Sequence, residues 1–138
     1  MTYAGDVTPR EAYAALQGDP EALLVDVRTS AEWQYVGVPD LSGLGHQVVG
    51  VEWQRYPDGS VNPSFAQDLT SAVPDRRGGA VYFLCRSGVR SVAAAHAATL
   101  AGLGPAYNVL DGFEGPVGPD GHRDVRGWKV EGLPWHQR

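Results

Sequence analysis

The sequence predicts an α/β domain of three layers, in which helices cover both faces of a mainly parallel central sheet. Residues 22–25 and 81–84 are continuously apolar, which is typical of strands buried on both faces of a parallel sheet. Helical signals lie between the predicted strands, so strand and helix alternate along the chain. A length of 138 residues is that of one domain, and we expect residues 1–138 to form it.

Two capping boxes predict the helices of the first part of the chain. Residues 8–11, Thr-Pro-Arg-Glu, combine an N-cap threonine with proline at the first helical position, and the helix should end near Gln17. Residues 29–32, Thr-Ser-Ala-Glu, repeat the pattern and predict a short helix that ends near Val36. The strand at residues 22–25 lies between these two helices.

The later elements are predicted from apolar spacing and composition. Phe65, Leu69 and Val73 recur every four residues, as on the buried face of a helix that begins near residue 62. The other predicted elements are a strand at 48–53, the strand at 81–84, an alanine-rich helix at 91–100 and a last strand at 106–110.

Cys85, the only cysteine, directly follows the apolar strand at 81–84 and precedes a short polar loop. A loop between a strand end and a helix start can turn backbone N–H groups inward, and the helix dipole adds positive potential there. Arg86 and Arg90 add two charges, and all three effects favour a nucleophilic thiolate. A lone cysteine after an apolar run can also be an inert buried residue, but the polar loop favours catalysis.

The loop sequence CRSGVRS resembles the active-site loop of the rhodanese family of sulfurtransferases, in which a cysteine begins six loop residues and an arginine often closes them. Asp26, Arg28 and Glu32 are similar to the Asp-x-Arg-x-x-x-Glu signature of that family. The segments 110–113 (LDGF) and 127–134 (GWKVEGLP) extend the resemblance over nearly the whole chain. The resemblance implies the rhodanese-like fold.

The resemblance also implies transfer of sulfane sulfur through a persulfide on Cys85, with no cofactor and no metal. The residues that would bind the donor are Arg86, Ser87, Gly88, Val89 and Arg90. The residues that would support the site are Asp26, Arg28, Glu32, Ser91, Gly112 and Phe113. Gly112 and Phe113 would wall the pocket around the sulfur.

The partners expected from this reading are a small anionic sulfur donor and a thiol or cyanide acceptor. Thiosulfate is the first choice of donor, because two arginines suit a doubly charged anion. Mercaptopyruvate is less favoured, and polysulfide, glutathione persulfide or a protein persulfide remains open. The sequence names no protein partner.

Two other function classes stay open. A cysteine phosphatase or arsenate reductase would use a similar loop, but its pattern has five residues between cysteine and arginine, whereas four separate Cys85 from Arg90. That pattern usually has histidine before the cysteine, where this chain has Leu84. The second alternative is a binding or regulatory rhodanese-like module without turnover.

The chain departs from the rhodanese pattern in one region. The family commonly has Gly-His-Ile-Pro-Gly-Ala soon after the glutamate, whereas this chain has an irregular stretch at 37–50, which we interpret as an insertion. The sequence assigns no role to His46 within it. Residues 115–126 are rich in glycine and proline and predict an ordered surface loop.

Composition excludes several other classes. A net charge of −5 with scattered basic residues disfavours nucleic-acid binding. No apolar stretch is long enough to cross a bilayer, so we expect no membrane association. A single cysteine cannot form an internal disulfide, which suits a reducing compartment, and we expect a cytoplasmic protein.

Overall fold

The computed structural model describes residues 3–55, 58–74, 76 and 78–137. The strands in these ranges are β1 (Gly5–Val7), β2 (Leu23–Asp26), β3 (Val38–Pro39), β4 (Val48–Gly50), β5 (Val81–Leu84), β6 (Ala106–Val109) and β7 (Trp135–His136). The α-helices are α1 (Pro9–Gly18), α2 (Ser30–Tyr35), α3 (Phe65–Ala72) and α4 (Val89–Leu100), and Ser42–Leu44 forms a 3₁₀ turn. None of these helices is long and apolar enough to cross a membrane.

Five strands form one parallel sheet in the order β1-β6-β5-β2-β4. The central strands β2 and β5 are buried at every position, because helices or loops cover both faces of the sheet. The predicted α/β class with a mainly parallel central sheet is therefore confirmed.

The two faces of the sheet bury different side chains, because successive residues of a strand point to opposite faces. Val25 and Phe83 pack in one apolar cluster with residues of α3 and α4. Leu24 and Leu84 pack in a second cluster with residues of α1 and with Trp128. Helices thus cover both faces of the sheet, and each large side chain that is fully buried contributes on the order of 2 kcal/mol.

Both predicted capping boxes are present. In α1 the Glu11 amide donates to Thr8 Oγ1 over 3.1 Å, and the Thr8 amide donates to Glu11 Oε1 over 2.8 Å. In α2 the same reciprocal pair joins Thr29 and Glu32, at 3.3 and 3.1 Å. These bonds satisfy backbone donors that have no partner inside the helix, so the two helices begin where the sequence predicts.

Several predicted boundaries were wrong. The strand at 48–53 is confined to β4, and the helix from residue 62 begins at Phe65. The helix predicted from residue 91 begins at Val89, because Gly88 takes a left-handed conformation (φ 102°) and serves as its N-cap. Two residues assigned to the active loop, Val89 and Arg90, therefore lie in the first turn of α4.

The sequence analysis missed three short strands, β1, β3 and β7. The strand predicted at 106–110 is therefore not the last one, since β7 follows it. Strand β1 pairs with β6 along one edge of the sheet, and β7 pairs antiparallel with β3 inside the stretch interpreted as irregular. Each of β1, β3 and β7 has only two or three residues, which is too short for a periodic pattern. Their partners are distant in the chain, so only the folded structure shows the pairing.

Candidate active site

Cys85 lies at the carboxyl edge of the sheet, directly after the central strand β5. It is only 1% exposed and belongs to the apolar cluster that contains Val25 and Phe83. Two polar groups nevertheless face the sulfur: the Gly88 amide donates to Sγ over 3.1 Å, and Ser91 Oγ lies 3.2 Å from it. The sulfur is thus buried within a polar cradle at the N-terminus of α4, where the helix dipole favours negative charge.

Gly88 makes this tight connection possible. Its left-handed backbone (φ 102°) turns the chain from the loop into α4, and a side chain there would approach the Asp111 amide at 3.3 Å. Glycine adopts such a φ at little cost, whereas other residues rarely do. The glycine therefore brings its own N–H to the sulfur and starts the helix in the next residue.

The outer side of the loop is held by the segment that follows β6. The Phe113 amide donates to the Cys85 carbonyl over 2.7 Å, and the amides of Glu114 and Gly115 both donate to the Arg86 carbonyl over 3.0 Å. The C=O and the following N–H of a trans peptide point in opposite directions. Holding these two carbonyls outward therefore aims the N–H groups of Arg86 and Ser87 away from that segment.

Gly112 allows this close approach. It has a φ of 60°, and a Cβ at this position would overlap the Cys85 carbonyl oxygen. The sequence predicted that Gly112 and Phe113 wall the pocket. In the structure their backbone supports the carbonyl side of the loop, and the Phe113 ring is completely buried.

The two loop arginines differ. Arg90 makes a bidentate ion pair with Glu32, with Nη1–Oε1 and Nη2–Oε2 distances of 2.7 and 2.9 Å. The Arg86 side chain is exposed and, within the described part of the chain, makes no hydrogen bond or ion pair. Glu32 thus already holds the terminal nitrogens of Arg90, and that both arginines bind an anion stays a prediction.

An open depression of about 980 Å³ lies beside the loop. Its lining includes Arg86, Arg90, Glu32, Tyr35 and Glu114. The depression brings the free arginine and the Glu32–Arg90 pair to one surface. A small anion entering there would meet Arg86 of the loop and also Arg55, which likewise lines the depression and donates to Asn62 rather than to a carboxylate.

The pKa of Glu32 is held low despite burial. Burial of the carboxyl group raises its pKa, but hydrogen bonds from Arg90 and the Thr29 amide outweigh that effect. The positive charges of Arg90 and Arg28 act in the same direction, and the pKa falls from 4.5 to about 2. Glu32 therefore stays ionised over the physiological range and keeps Arg90 paired.

Asp26 and Arg28 form a second, fully buried pair. Arg28 Nη2 donates to Asp26 Oδ2 and to the Gly37 carbonyl, both over 2.7 Å, and the guanidinium lies 4.3 Å from the Phe113 ring centre. A buried pair persists only where geometry and hydrogen bonds offset its desolvation. This one fastens the end of β2 to the chain after α2 and to Phe113, although Arg28 Nη1 has no partner among the described residues.

His46 is not among the residues that hydrogen-bond to the sulfur or line the depression beside the loop. It lines a separate cavity of about 270 Å³ with Trp33, Asp40 and His136, at the two-stranded sheet. The His136 Nδ1 atom is 3.4 Å from Asp40 Oδ2. Within the described ranges, no three His, Cys, Asp or Glu side chains are grouped as a metal site would need.

Sequence reasoning missed one residue near the sulfur, Asn108. Its Oδ1 atom accepts a hydrogen bond from Ser91 Oγ over 2.5 Å, and Ser91 in turn contacts Cys85. The available signal was a polar residue inside the otherwise apolar strand β6. A buried polar side chain needs a partner, which makes such a position informative.

Comparison with known proteins identifies the family. Residues 4–138 match the family described as the STR4 middle domain. The chain is also 31% identical, over 131 residues, to the chloroplastic rhodanese-like domain-containing protein 4 of Arabidopsis thaliana, covering 95% of this chain and 25% of that protein. The chain belongs to the rhodanese-like family. A Rickettsia conorii protein of uncharacterized function is 38% identical over 130 residues, covering 94% of this chain and 95% of the relative.

Two solved structures share the fold of this chain. The crystal structure of Rv0390 from M. tuberculosis is 54% identical, with a TM-score of 0.88 and 99% coverage of both chains. The polysulfide-sulfur transferase homodimer of Wolinella succinogenes is 22% identical, with a TM-score of 0.62, over 99% of this chain and 80% of the other. At that identity the second likeness concerns the fold alone.

Replacing Gly112 by Ala should destabilise the protein, because the methyl group meets the Cys85 carbonyl and the left-handed backbone is strained. We expect a loss of about 2–4 kcal/mol in the free energy of unfolding, measured by urea denaturation. Gly121→Ala is the matched control, since Gly121 has a φ of 85° and no atom lies within 4 Å of the place its Cβ would take. Equal losses in the two variants would contradict the close-contact explanation.

Replacing Glu32 by Gln should reduce stability in a pH-dependent way. A carboxyl group whose folded pKa is lowered from 4.5 to about 2 stabilises the fold above pH 4.5 and loses that contribution as the pH falls toward 2. We expect a deficit of about 1–2 kcal/mol near neutral pH, allowing for partial exposure, that shrinks toward zero in acid. Urea unfolding across this pH range measures it.

Glu11→Gln is the control for the Glu32 variant. Glu11 holds the same capping position in α1, and in the described residues it has no ion pair with an arginine. Its deficit should therefore be smaller. A Glu32→Gln deficit that stays constant from neutral pH to acid would contradict the proposed contribution of the ion pair.

Proposed function

We propose that this protein is a sulfurtransferase that moves sulfane sulfur from an anionic donor to a thiol or cyanide through a persulfide on Cys85. One observation carries the proposal: Cys85 Sγ lies between the end of β5 and the start of α4, and accepts the Gly88 N–H over 3.1 Å. Membership of the rhodanese-like family supports the same reaction class.

The reaction proceeds in two displacements. The Cys85 thiolate attacks the outer sulfur of thiosulfate, a new S–S bond forms, and the electron pair of the broken S–S bond leaves with sulfite. An acceptor thiolate then attacks the terminal sulfur, and the electron pair of that S–S bond returns to Cys85 Sγ. With cyanide as acceptor the product is thiocyanate. The steps balance without an added oxidant or reductant, as in other covalent catalysis.

The loop would stabilise the anionic forms of sulfur. The Gly88 N–H faces Sγ, and we propose that the backbone amides of Arg86, Ser87, Val89 and Arg90 stabilise the terminal sulfur of the persulfide. The N-terminus of α4 adds a favourable field. This arrangement supports negative charge on sulfur in a site that excludes most water.

Thiosulfate remains the first donor candidate, and we propose that Arg86 has the leading role in binding it. The Arg90 guanidinium is bonded to Glu32, so its charge is largely compensated, whereas Arg86 is exposed beside the depression. We propose that the donor oxygens contact Arg86 first. Polysulfide is the second candidate, because the Wolinella protein that shares the fold is named a polysulfide-sulfur transferase.

The expected cytoplasmic location also stays a proposal, supported by the single cysteine, which cannot form an internal disulfide. A regulatory module without turnover is the alternative to an enzyme. Sulfur loading of Cys85 decides between the two.

Incubation with thiosulfate should add one sulfur atom to Cys85, because the thiolate displaces sulfite. Intact-mass spectrometry measures the added atom, and thiocyanate should form once cyanide is supplied. Cys85→Ser should lose both signals while keeping the circular dichroism spectrum of the parent protein. An unmodified Cys85 with every sulfur donor tested would overturn the enzyme proposal, and release of phosphate from an aryl phosphate would favour a phosphatase.

Arg86→Ala should raise the KM for thiosulfate about tenfold, the effect of losing one charge-assisted hydrogen bond, with a smaller change in kcat. Steady-state thiocyanate formation measures both constants. Arg10→Ala is the control, because Arg10 is exposed and pairs with Glu131 outside the site. If Arg86→Ala left KM unchanged while Arg90→Ala raised it, the assignment of the donor site to Arg86 would be wrong.

A further inference from the structure

A chain of side-chain hydrogen bonds runs from the sulfur to the edge of the sheet. Cys85 Sγ is 3.2 Å from Ser91 Oγ, Ser91 Oγ is 2.5 Å from Asn108 Oδ1, and Asn108 Nδ2 is 3.0 Å from Asp6 Oδ1. Cys85, Ser91 and Asn108 are 1%, 0% and 2% exposed. Asp6 lies on the edge strand β1 and is exposed. The chain thus joins the buried nucleophile to the surface.

The orientation of the Asn108 amide is determined by Asp6. An ionised carboxylate only accepts hydrogen bonds, so the amide nitrogen must face Asp6 and the amide oxygen must face Ser91. Tyr3 also donates its hydroxyl to Asp6 Oδ1 over 2.9 Å, and this bond raises the pKa of Tyr3. Asp6 therefore acts as an acceptor on both sides.

The number of protons then determines how Cys85 and Ser91 are bonded. Ser91 has one hydroxyl hydrogen, and the short contact gives it to Asn108 Oδ1. Ser91 Oγ can then only accept from Cys85, so the thiol hydrogen must lie on Sγ and point to Ser91. The Ser91 hydrogen bond therefore favours the thiol, whereas the Gly88 amide and the helix dipole favour the thiolate. When the thiol proton leaves to water, the thiolate and Asn108 Oδ1 compete for the one hydroxyl hydrogen of Ser91.

We propose that Asn108, oriented by Asp6, is a positioning residue that directs the Ser91 hydroxyl away from the sulfur and thereby restrains ionisation of Cys85. The inference rests on the proposed function in one respect, that Cys85 is the nucleophile. It predicts that the edge strand β1, far from Cys85 in sequence, tunes the reactivity of the active-site sulfur.

Other charged groups surround the sulfur and must stay constant in a test of this proposal. Arg86 and Arg90 lie on the loop and on α4, Glu32 lies on α2, and the buried Asp26–Arg28 pair lies at the end of β2. Glu114 lies on the segment that supports the loop. Substitutions at Ser91 and Asn108 leave all of these charges in place.

The test is the pH dependence of the rate of Cys85 alkylation by iodoacetamide, measured on the full chain without any sulfur donor. Asn108→Leu should lower the midpoint of the profile by about 0.5–1 pH unit, because Ser91 can then donate to the thiolate. Ser91→Ala should also lower the midpoint, but by less than Asn108→Leu, because it removes the oxygen that accepts the thiol hydrogen and supplies no donor to the thiolate. In the double variant, Asn108→Leu should cause no further change, since Asn108 acts only through Ser91.

The plateau of the alkylation rate at high pH reports how easily iodoacetamide reaches Cys85, whereas the midpoint reports ionisation of the thiol. A purely structural effect of Asn108→Leu would change the plateau, whereas the proposal requires the midpoint to move. A midpoint that Asn108→Leu leaves unchanged or raises would overturn the proposal. It would also be overturned if Asn108→Leu lowered the midpoint as much in the Ser91→Ala variant as in the parent protein. The absence of sulfur transfer would leave this result intact, so failure of the proposed function and failure of this inference are distinguishable.

Two variants at the exposed Asp6 keep the test valid if the buried variant does not fold. Asp6→Asn removes the charge but retains an oxygen that can hold the Asn108 amide, so it controls for the charge alone. Asp6→Ala frees the amide to rotate and present its NH₂ group to Ser91. The midpoint should be lower in Asp6→Ala than in Asp6→Asn, which makes alkylation below the midpoint about threefold faster. Equal midpoints in the two variants would overturn the proposal.

Discussion

The site depends on a backbone constraint: the carbonyls of Cys85 and Arg86 are held by the amides of residues 113–115. These bonds determine which way the peptide planes of the loop face, and so which amides can face the sulfur. Residue 112 must be glycine, because a side chain there would meet the Cys85 carbonyl. The backbone of the segment after β6 therefore orients the loop amides around the cysteine.

Charge around the site is arranged in pairs. Asp26 and Arg28 neutralise each other in the interior, and Glu32 binds Arg90 in the first turn of α4. Burying unpaired charge is costly. Because Asp26, Arg28 and Glu32 are each paired with an opposite charge, these residues can lie in the interior and hold β2, α2 and α4 together. Of the two loop arginines Arg86 is the exposed one without a carboxylate partner, and Arg55 adds a second exposed cation to the depression beside the loop.

Much of the fold could be predicted because its signals are local. The capping boxes at Thr8 and Thr29 and the apolar runs of β2 and β5 require only neighbouring residues to be recognised. The short strands β1 and β7 could not be predicted, since they exist only through pairing with distant strands. The start of α4 was misplaced because the role of Gly88 depends on its left-handed backbone, which composition does not reveal.

By itself, the sequence determined the α/β class, the position of the single cysteine between a strand and a helix, and the resemblance to rhodaneses, because each depends on contiguous residues. Only the tertiary structure decided which of the two loop arginines has a carboxylate partner, since Glu32 and Arg90 are 58 residues apart and meet through folding. It also placed Asn108 and Asp6 in one hydrogen-bond chain with the sulfur. The direction of a hydroxyl hydrogen depends on all of its partners in space, and no local pattern contains that information.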